Sequence, residues 1–557
     1  MMSPSSQNIL KSFYQYLLGF FILTAIVIAP QYARSQENNP QEAQKAKAVI
    51  ETLLQDLSEQ TSGSEFKLEM NGDTNVQAKN RYYHVTTPDI KFVHKDGSYV
   101  DIGIYALNMA PDSKEGFWKM SMAMPTPITF IDKDGRQAAS LDIGSQKLAG
   151  LFHAPTLHFI KADMSLENIQ ADIDLQDKDD MVINLDRIMM TSNMTAEQPP
   201  HIWSGPTYIS LEGMSVQKKK NPDISFGLGS LVYSGNVEKY DLIAYEEFQE
   251  TMHEKLTPLM TKDSELKENA GKSRVFISDL YLAFYENFRK IFNGANARIQ
   301  LNDIYVNDAS SKNSKINPSG EPLRIDKISY GFSFDRLQEK TSDFGINVGF
   351  QNDSIEKIPH EYKQYVPQTF DFDTSLVNLP VPELVELAAQ MSKVQGANTK
   401  NKLALQAAML LPQMLSKAGT QIKINTIDLG NNQYSMAMQG AIKSDVEAVH
   451  QATMDVKIKI SGLDTLIQAL RADTNRDTGA GQTGQKAPQN MLMNPAGLVS
   501  ILGMIQMMGQ QSPDDPEIRD YHLVLDKTGR FTVNGSDISN ITGGGARQAP
   551  SMPVSPQ

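Results

Sequence analysis

One pattern limits the folds open to this chain more than any other feature. Written with h for an apolar residue, it is h-x-h-x-x-h-x-h. It occurs as Met164-Leu166-Ile169-Ala171, Ile183-Leu185-Ile188-Met190, Ile209-Leu211-Met214-Val216 and Phe226-Leu228-Leu231-Tyr233. It returns as Ile299-Leu301-Ile304-Val306, Leu323-Ile325-Ile328-Tyr330 and Ile422-Ile424-Ile427-Leu429. The central pair is often polar, as in Glu167-Asn168, Asp186-Arg187, Asn302-Asp303, Asp326-Lys327 and Asn425-Thr426. A spacing of two puts h-x-h on one face of a strand. The middle step is three, an odd number, which in a regular strand would turn the later pair to the opposite face. A bulge or tight bend at the polar pair returns it to the first face. Each unit therefore reads as a bent strand lying along a single apolar surface. Asn302-Asp303 and Asp326-Lys327 are expected to be exposed, with Ile304 and Ile328 buried. Chance matches occur in any large β protein, but seven matches, most with a polar centre, favour a repeated element. The distance between units is irregular, so a solenoid of fixed period is not supported.

Other segments frame the repeats. Val49, Ile50, Leu53, Leu54 and Leu57 recur at helical spacing within Gln41 to Gln60. Period two begins at Phe66 and continues through Tyr99 to Leu107 and Trp118 to Met124, with reversals at Asp96-Gly97 and Asp134-Gly135. Helices are expected at Tyr245 to Met260, Ser278 to Phe292, from Pro382, at Leu403 to Leu415, Leu463 to Leu470 and Ala496 to Met508. Tyr521 to Leu525 and Phe531 to Val533 form a hairpin around Lys527-Thr528-Gly529. The fold class is a β-rich α+β protein: a large twisted antiparallel sheet of repeated bent strands with helical insertions. Its divisions are a signal peptide at 1–35, a polar lead and helix at 36–65, β-rich regions at 66–235 and 296–378, and helical segments at 236–295 and 379–420. Strands and a short helix occupy 421–472, a disordered loop 473–490, an apolar helix with the hairpin 491–542, and a disordered tail 543–557.

The N-terminus speaks to compartment. Lys11 is the only charge in the first thirty residues, Tyr16 through Ala29 is apolar, Pro30 closes the run, and Ala33-Arg34-Ser35 sets small residues before a cut between Ser35 and Gln36. The run is short of the roughly 20 residues that span a bilayer, so cleavage is favoured over an inner-membrane anchor at 16–29. Either way the chain is exported, and a periplasmic location is expected. Lipid attachment at a cysteine is excluded, because there is none. The same absence removes disulfides, thiolate metal sites and cysteine nucleophiles. A net charge of -13 argues against nucleic acid as a partner. Lys218-Lys219-Lys220 is the one basic run and reads as a solvated turn.

Motifs for catalysis are thin. Gly479, Gly481 and Gly484 satisfy G-x-G-x-x-G but sit in a polar stretch without the strand and helix that motif requires. His153 and His158, five apart in a strand-like region, fall on opposite faces of a regular strand. Asp177, Asp179 and Asp180 cluster without the glycine and closing glutamate of a calcium loop. No G-x-S-x-G elbow or H-E-x-x-H is present. No catalytic residue, metal ligand or cofactor is assigned. The helix from Ala496 is apolar nearly all round and Met-rich, which suits burial, a partner or peripheral membrane contact.

The repeated units, and the closing stretch from Leu525 to Gly535, resemble the AsmA-like and YdgA-like exported families of Gram-negative bacteria. The resemblance spans roughly Met164 to Gly535 in style and supplies no residue-specific motif. It implies one N-terminal export or anchor segment and a long periplasmic β-rich body, with AsmA-like members resembling lipid-transfer grooves. A non-catalytic envelope protein follows as the expectation, handling lipid along an apolar groove that includes Leu211, Leu228, Leu301 and Ile325. The alternative is a scaffold with a closed core, interacting with other envelope proteins. A third, less favoured, is a hydrolase of envelope polymers.

Overall fold

In a computed structural model the described residues are 40–539, apart from 62–64, 156, 175–179, 200, 221–223, 262–269, 309–322, 353–365, 394–396, 480–494 and 514. The signal segment with Ser35 and Gln36, the tail from Gly543, and Asp177 and Asp179 lie outside them. The chain forms two compact units, one of Met1–Gln249 and Ile291–Ile328, the other of Glu250–Lys290 and Ser329–Gln557. The protein is a β-rich α+β protein, and its strand pairings are antiparallel.

The first unit opens with helix α1, Pro40–Thr61. Pro40 starts it, where a missing N–H costs nothing, and Ala46, Ile50 and Leu54 form its buried stripe at steps of four. Eight short strands, β1 to β8, follow between Phe66 and Ile131. Then come long strands: β9 (Gln137–His153), β10 (His158–Ile173), β11 (Met181–Asn193), the two-residue β12 (Thr195–Ala196), β13 (Ile202–Lys218), β14 (Ile224–Asp241) and β15 (Gly294–Asp308). They pair in the order β9, β10, β11, β13, β14, β15. One dry cluster joins Ala46 and Ile50 of α1, Val85, Met109 and Met120 of the short strands, and Phe152, Leu166 and Ile188 of the long ones.

All seven repeat units lie on strands, and the three-residue step is a bend. In β10, Met164, Leu166, Ile169 and Ala171 are all buried while Asn168 between them is exposed. Asn168 has a φ of 54°, Gly213 of β13 a φ of 68° and Asp303 of β15 a φ of 52°. Asn, Gly and Asp are the residue types that enter this left-handed region most easily. The strands between them carry no left-handed residue at the equivalent place. They accommodate the bend instead: Gly144 of β9 faces Asn168, and Gly229 of β14 faces Asp303. A Cβ on Gly144 would come within 2.9 Å of the Asn168 Cβ, and one on Gly229 within 2.8 Å of the Asp303 Cβ. Bent and accommodating strands thus alternate, and their bends line up as a crease across the sheet.

Helix α2 (Leu242–Thr261) and helix α3 (Ala270–Ile291) follow β14, and strand β16 (Leu323–Asp335) follows β15. In the second unit β17 (Ser342–Gln351), β18 (Thr369–Leu379), β19 (Gln421–Gly430), β20 (Ser435–Ser444), β21 (Ala452–Ser461) and β23 (Ile518–Leu525) pair in that order. Three minor strands finish this edge: β22 (Gln510–Gln511), β24 (Phe531–Val533) and β25 (Ser536–Asp537). The expected C-terminal hairpin is the β23–β24 pair. Helices α4 (Val381–Lys393) and α5 (Ala397–Ala418) lie between β18 and β19; α6 (Leu463–Gly479) and α7 (Pro495–Met508) lie between β21 and β22. Helix α6 corrects the reading of 473–490 as a loop from its first residue. No proline or glycine interrupts Arg471 to Thr478, so nothing stops the helix before Gly479. The remainder of that loop lies outside the described residues.

Candidate functional site: the apolar face of the sheet

Because each strand carries its apolar residues at the same relative positions, antiparallel pairing stacks them into rows running across the strands. In the first unit one row is Met164, Met190, Ile209, Tyr233, Ile299, and the next is Leu166, Ile188, Leu211, Leu231, Leu301. On the far side of the crease, Ile169 pairs with Leu185, Met214 pairs with Leu228, and Leu228 pairs in turn with Ile304; the fourth row is Ala171, Ile183, Val216, Phe226, Val306. Exposure is greater at the β15 end of every row than at the β10 end, although Leu228 of β14 is buried. Met164, Leu166, Ile169 and Ala171 are buried, the β13 members are half-buried, and Ile299 and Val306 are exposed. Ile304 and Ile328 are half-buried, and so are Asn302, Asp326 and Lys327; only Asp303 of the two polar pairs is exposed. The expected contrast is therefore softened. No described buried cluster reaches these strands, so their two faces differ little in access to water.

The second unit repeats the arrangement. Its rows are Phe344, Leu376, Ile422, Ile442, Met454, Leu525; Ile346, Thr374, Ile424, Gly440, Val456, Leu523; Val348, Phe372, Ile427, Met438, Ile458, Tyr521; and Phe350, Phe370, Leu429, Met436, Ile460. The register of β19 slips between Ile424 and Ile427, which is the bulge expected at Asn425-Thr426. At the β21–β23 end the face is closed. Tyr521 donates its hydroxyl hydrogen bond to the Ile505 carbonyl of α7 at 3.0 Å, and Val456, Leu463 and Ile467 are buried. At the β17–β19 end it is open: Ile346 and Ile422 are each 46% exposed. Near the C-terminal end of helix α5, Thr420 just beyond it donates to the Asn378 carbonyl at 2.8 Å and the Val446 N–H donates to the Ser416 hydroxyl at 3.1 Å. Leu405, Met409 and Leu410 of α5 remain exposed. Helix α7 has no charged residue and turns Met504, Met507 and Met508 outward.

Leu211, Leu228 and Leu301, three of the four residues expected to line a groove, lie in these rows. Leu228 is 7% exposed, Leu211 packs against the dry cluster, and Leu301 and Ile325 are half-buried outside it. Sequence reading named none of Phe370, Phe372, Met436 or Met438. Their alternation with polar residues was the signal, without the three-residue step that drew attention to the other strands.

Polar candidates resolve differently. His153 ends β9 and His158 begins β10, and the two pair across the ladder rather than lying on opposite faces of one strand. Pro155 is the reason, since it cannot donate to a ladder and a turn forms around it. Burial, with His158 opposite, pushes the His153 imidazole down to about 4, and its ring lies 4.5 Å from that of Phe117. The basic run is neutralised: Lys219 lies 2.7 Å from Asp172 and Lys220 3.6 Å from Asp180. The Lys219 hydrogen bond holds the Asp172 carboxyl below its ordinary range. Gly479 is the last residue of α6, with Gly481 and Gly484 outside the described residues. Among the described residues no three His, Asp or Glu side chains converge to hold a metal. No helix among them is long and apolar enough to cross a membrane. No protein-family model, curated protein or solved structure matches the chain.

Proposed function

We propose that this is an exported, non-catalytic protein of the cell envelope that holds lipid-type apolar chains against its sheet. The observation that carries the reading is the open end of the apolar face, where Ile346 and Ile422 stay half in water among largely apolar rows, the one through Ile346 being interrupted by Thr374 and Gly440. Extended apolar surface left in contact with water is uncommon unless something binds it. An acyl chain laid there gains about 0.8 kcal/mol for each CH₂ removed from water, so affinity needs no polar motif. The uncharged α7, with Met504, Met507 and Met508 outward, suits a peripheral contact with a bilayer surface. The closed cluster around Leu166 and Ile188 supports a second reading, a self-packed scaffold.

Native mass spectrometry of protein purified from envelope separates the two. Lipid binding predicts co-purifying phospholipid that is lost in Ile346→Asp/Ile422→Asp, while the melting temperature holds. Protein free of lipid, with its melting temperature collapsing in the same variant, would overturn the proposal in favour of the scaffold.

A further inference from the structure

Helix α5 departs from the rest of the chain in both charge and exposure. From Leu387 to Ile427 the sequence holds Lys393, Lys400, Lys402, Lys417 and Lys423 and no acidic residue, in a chain whose net charge is -13. Between Lys402 and Lys417 the only polar residues are Gln406, Gln413 and Ser416. The helical period sets Lys402, Gln406, Gln413 and Lys417 along one line, so the rest of the circumference is apolar apart from Ser416. That apolar flank is not packed away. Leu405 and Met409 are each 65% exposed, Leu410 47% and Leu411 37%. Met414 and Leu415, beside the ties to Asn378 and Val446, are half-buried.

The carboxylates that face these lysines do not cancel them. Glu383 and Glu386 lie in the first turns of α4, which starts beside the end of α5 because the Asn378 side chain donates to the Gly419 carbonyl at 3.3 Å. Asp445 and Glu447 flank Val446 and share Lys527 at 2.9 and 3.3 Å. Asp343 is matched by Arg336. With Lys527 included, six lysines stand against Glu383, Glu386, Asp445 and Glu447. The negative charge of the remaining chain is screened beyond about 8 Å at physiological ionic strength, so the local excess decides what this end attracts.

We propose that α5 is a bilayer-inserting element. Its apolar flank enters the interface of an anionic lipid membrane, and Lys402 and Lys417, at the two ends of the uncharged stretch, meet the headgroups. Helix α7 lacks that charge, and Asp514, Asp515 and Glu517 follow it in sequence. The insertion does not depend on lipid bound to the sheet.

Flotation of the chain cut after Ser35 tests this; the cut is needed because the apolar run from Tyr16 to Ala29 would bind vesicles by itself. The probes are phosphatidylcholine vesicles with and without about one-third phosphatidylglycerol. The expected result is flotation with phosphatidylglycerol that weakens as sodium chloride rises from about 50 to about 500 mM. Leu405→Gln/Met409→Gln should lower vesicle affinity at least about tenfold at an unchanged melting temperature, because both side chains already stand in water in the free protein. Lys402→Gln/Lys417→Gln should abolish the preference for phosphatidylglycerol. The chain has no cysteine, so Met409→Cys accepts a single nitrobenzoxadiazole label, whose emission should shift to the blue on vesicle binding. Ile346→Asp should float as the unaltered chain does, which separates this outcome from that of the sheet. Failure to float, an unshifted label, or flotation that neither double variant alters would overturn the proposal. So would self-association, without vesicle binding, that Leu405→Gln/Met409→Gln abolishes; the flank would then belong to a second copy of the chain.

Discussion

The β10–β11 end of the first unit and the β17–β19 end of the second carry the same four apolar rows and differ in what lies over them. In the first, α1 and the short strands complete a dry cluster that includes Leu166 and Ile188. In the second, a helix closes the β21–β23 end, while Ile346 and Ile422 keep contact with water among the described residues. An apolar pattern specifies which side chains share a face. Whether that face becomes a core depends on a second layer supplied from elsewhere in the chain.

The comparison breaks first at the core. Leu166→Ala should cost about 2–5 kcal/mol, since a fully buried leucine leaves a cavity. Ile422→Ala, at the open end, should cost below about 1 kcal/mol because less apolar area leaves water there on folding. Urea denaturation followed separately for each unit measures both; equal losses would mean that the open end is covered after all.

The crease comes next. Gly229→Ala drives a Cβ towards that of Asp303 and should cost about 1–3 kcal/mol by overpacking. Adding Asp303→Gly removes the obstacle and relaxes a left-handed residue. The double variant should recover most of the loss, and simple additivity in the melting curves would refute the coupling.

Acid should find the closed end before the open one. The folded His153 imidazole titrates at about 4 and the unfolded one near 6.5, so the unfolded chain binds the extra proton. Stability is intact above about pH 6.5, falls as the pH drops towards 4 and levels below it. His153→Phe should flatten that part of the melting-temperature profile; an unchanged slope would assign it elsewhere. The smallest effect belongs to the polar surface. Lys219→Ala should change stability by less than about 0.5 kcal/mol, because its pair with Asp172 is largely solvated.

Much of the fold was legible before any coordinates. The seven units are strands, and Asn168, Gly213, Asp303 and Asn425 mark bends or bulges where the three-residue step requires them. What the pattern did not reveal is that only alternate strands of the first unit bend through a left-handed residue, because that depends on which residue faces which across the ladder. His153 and His158 were misplaced because Pro155 makes a turn where a continuous strand had been assumed. The rows containing Phe372 and Met438 were overlooked because plain alternation looks the same whether a face is open or closed.

The alternation along the crease also constrains how such a sheet can lengthen or shorten over generations. Bent strands β10, β13 and β15 run in one direction, and accommodating strands β9, β11 and β14 run in the other. Inserting a single strand would set two of a kind side by side, with either two left-handed residues colliding or a gap with none. Duplicating a hairpin preserves both the alternation and the four rows. The heritable module is therefore a strand pair, and related chains should differ in length by even numbers of long strands.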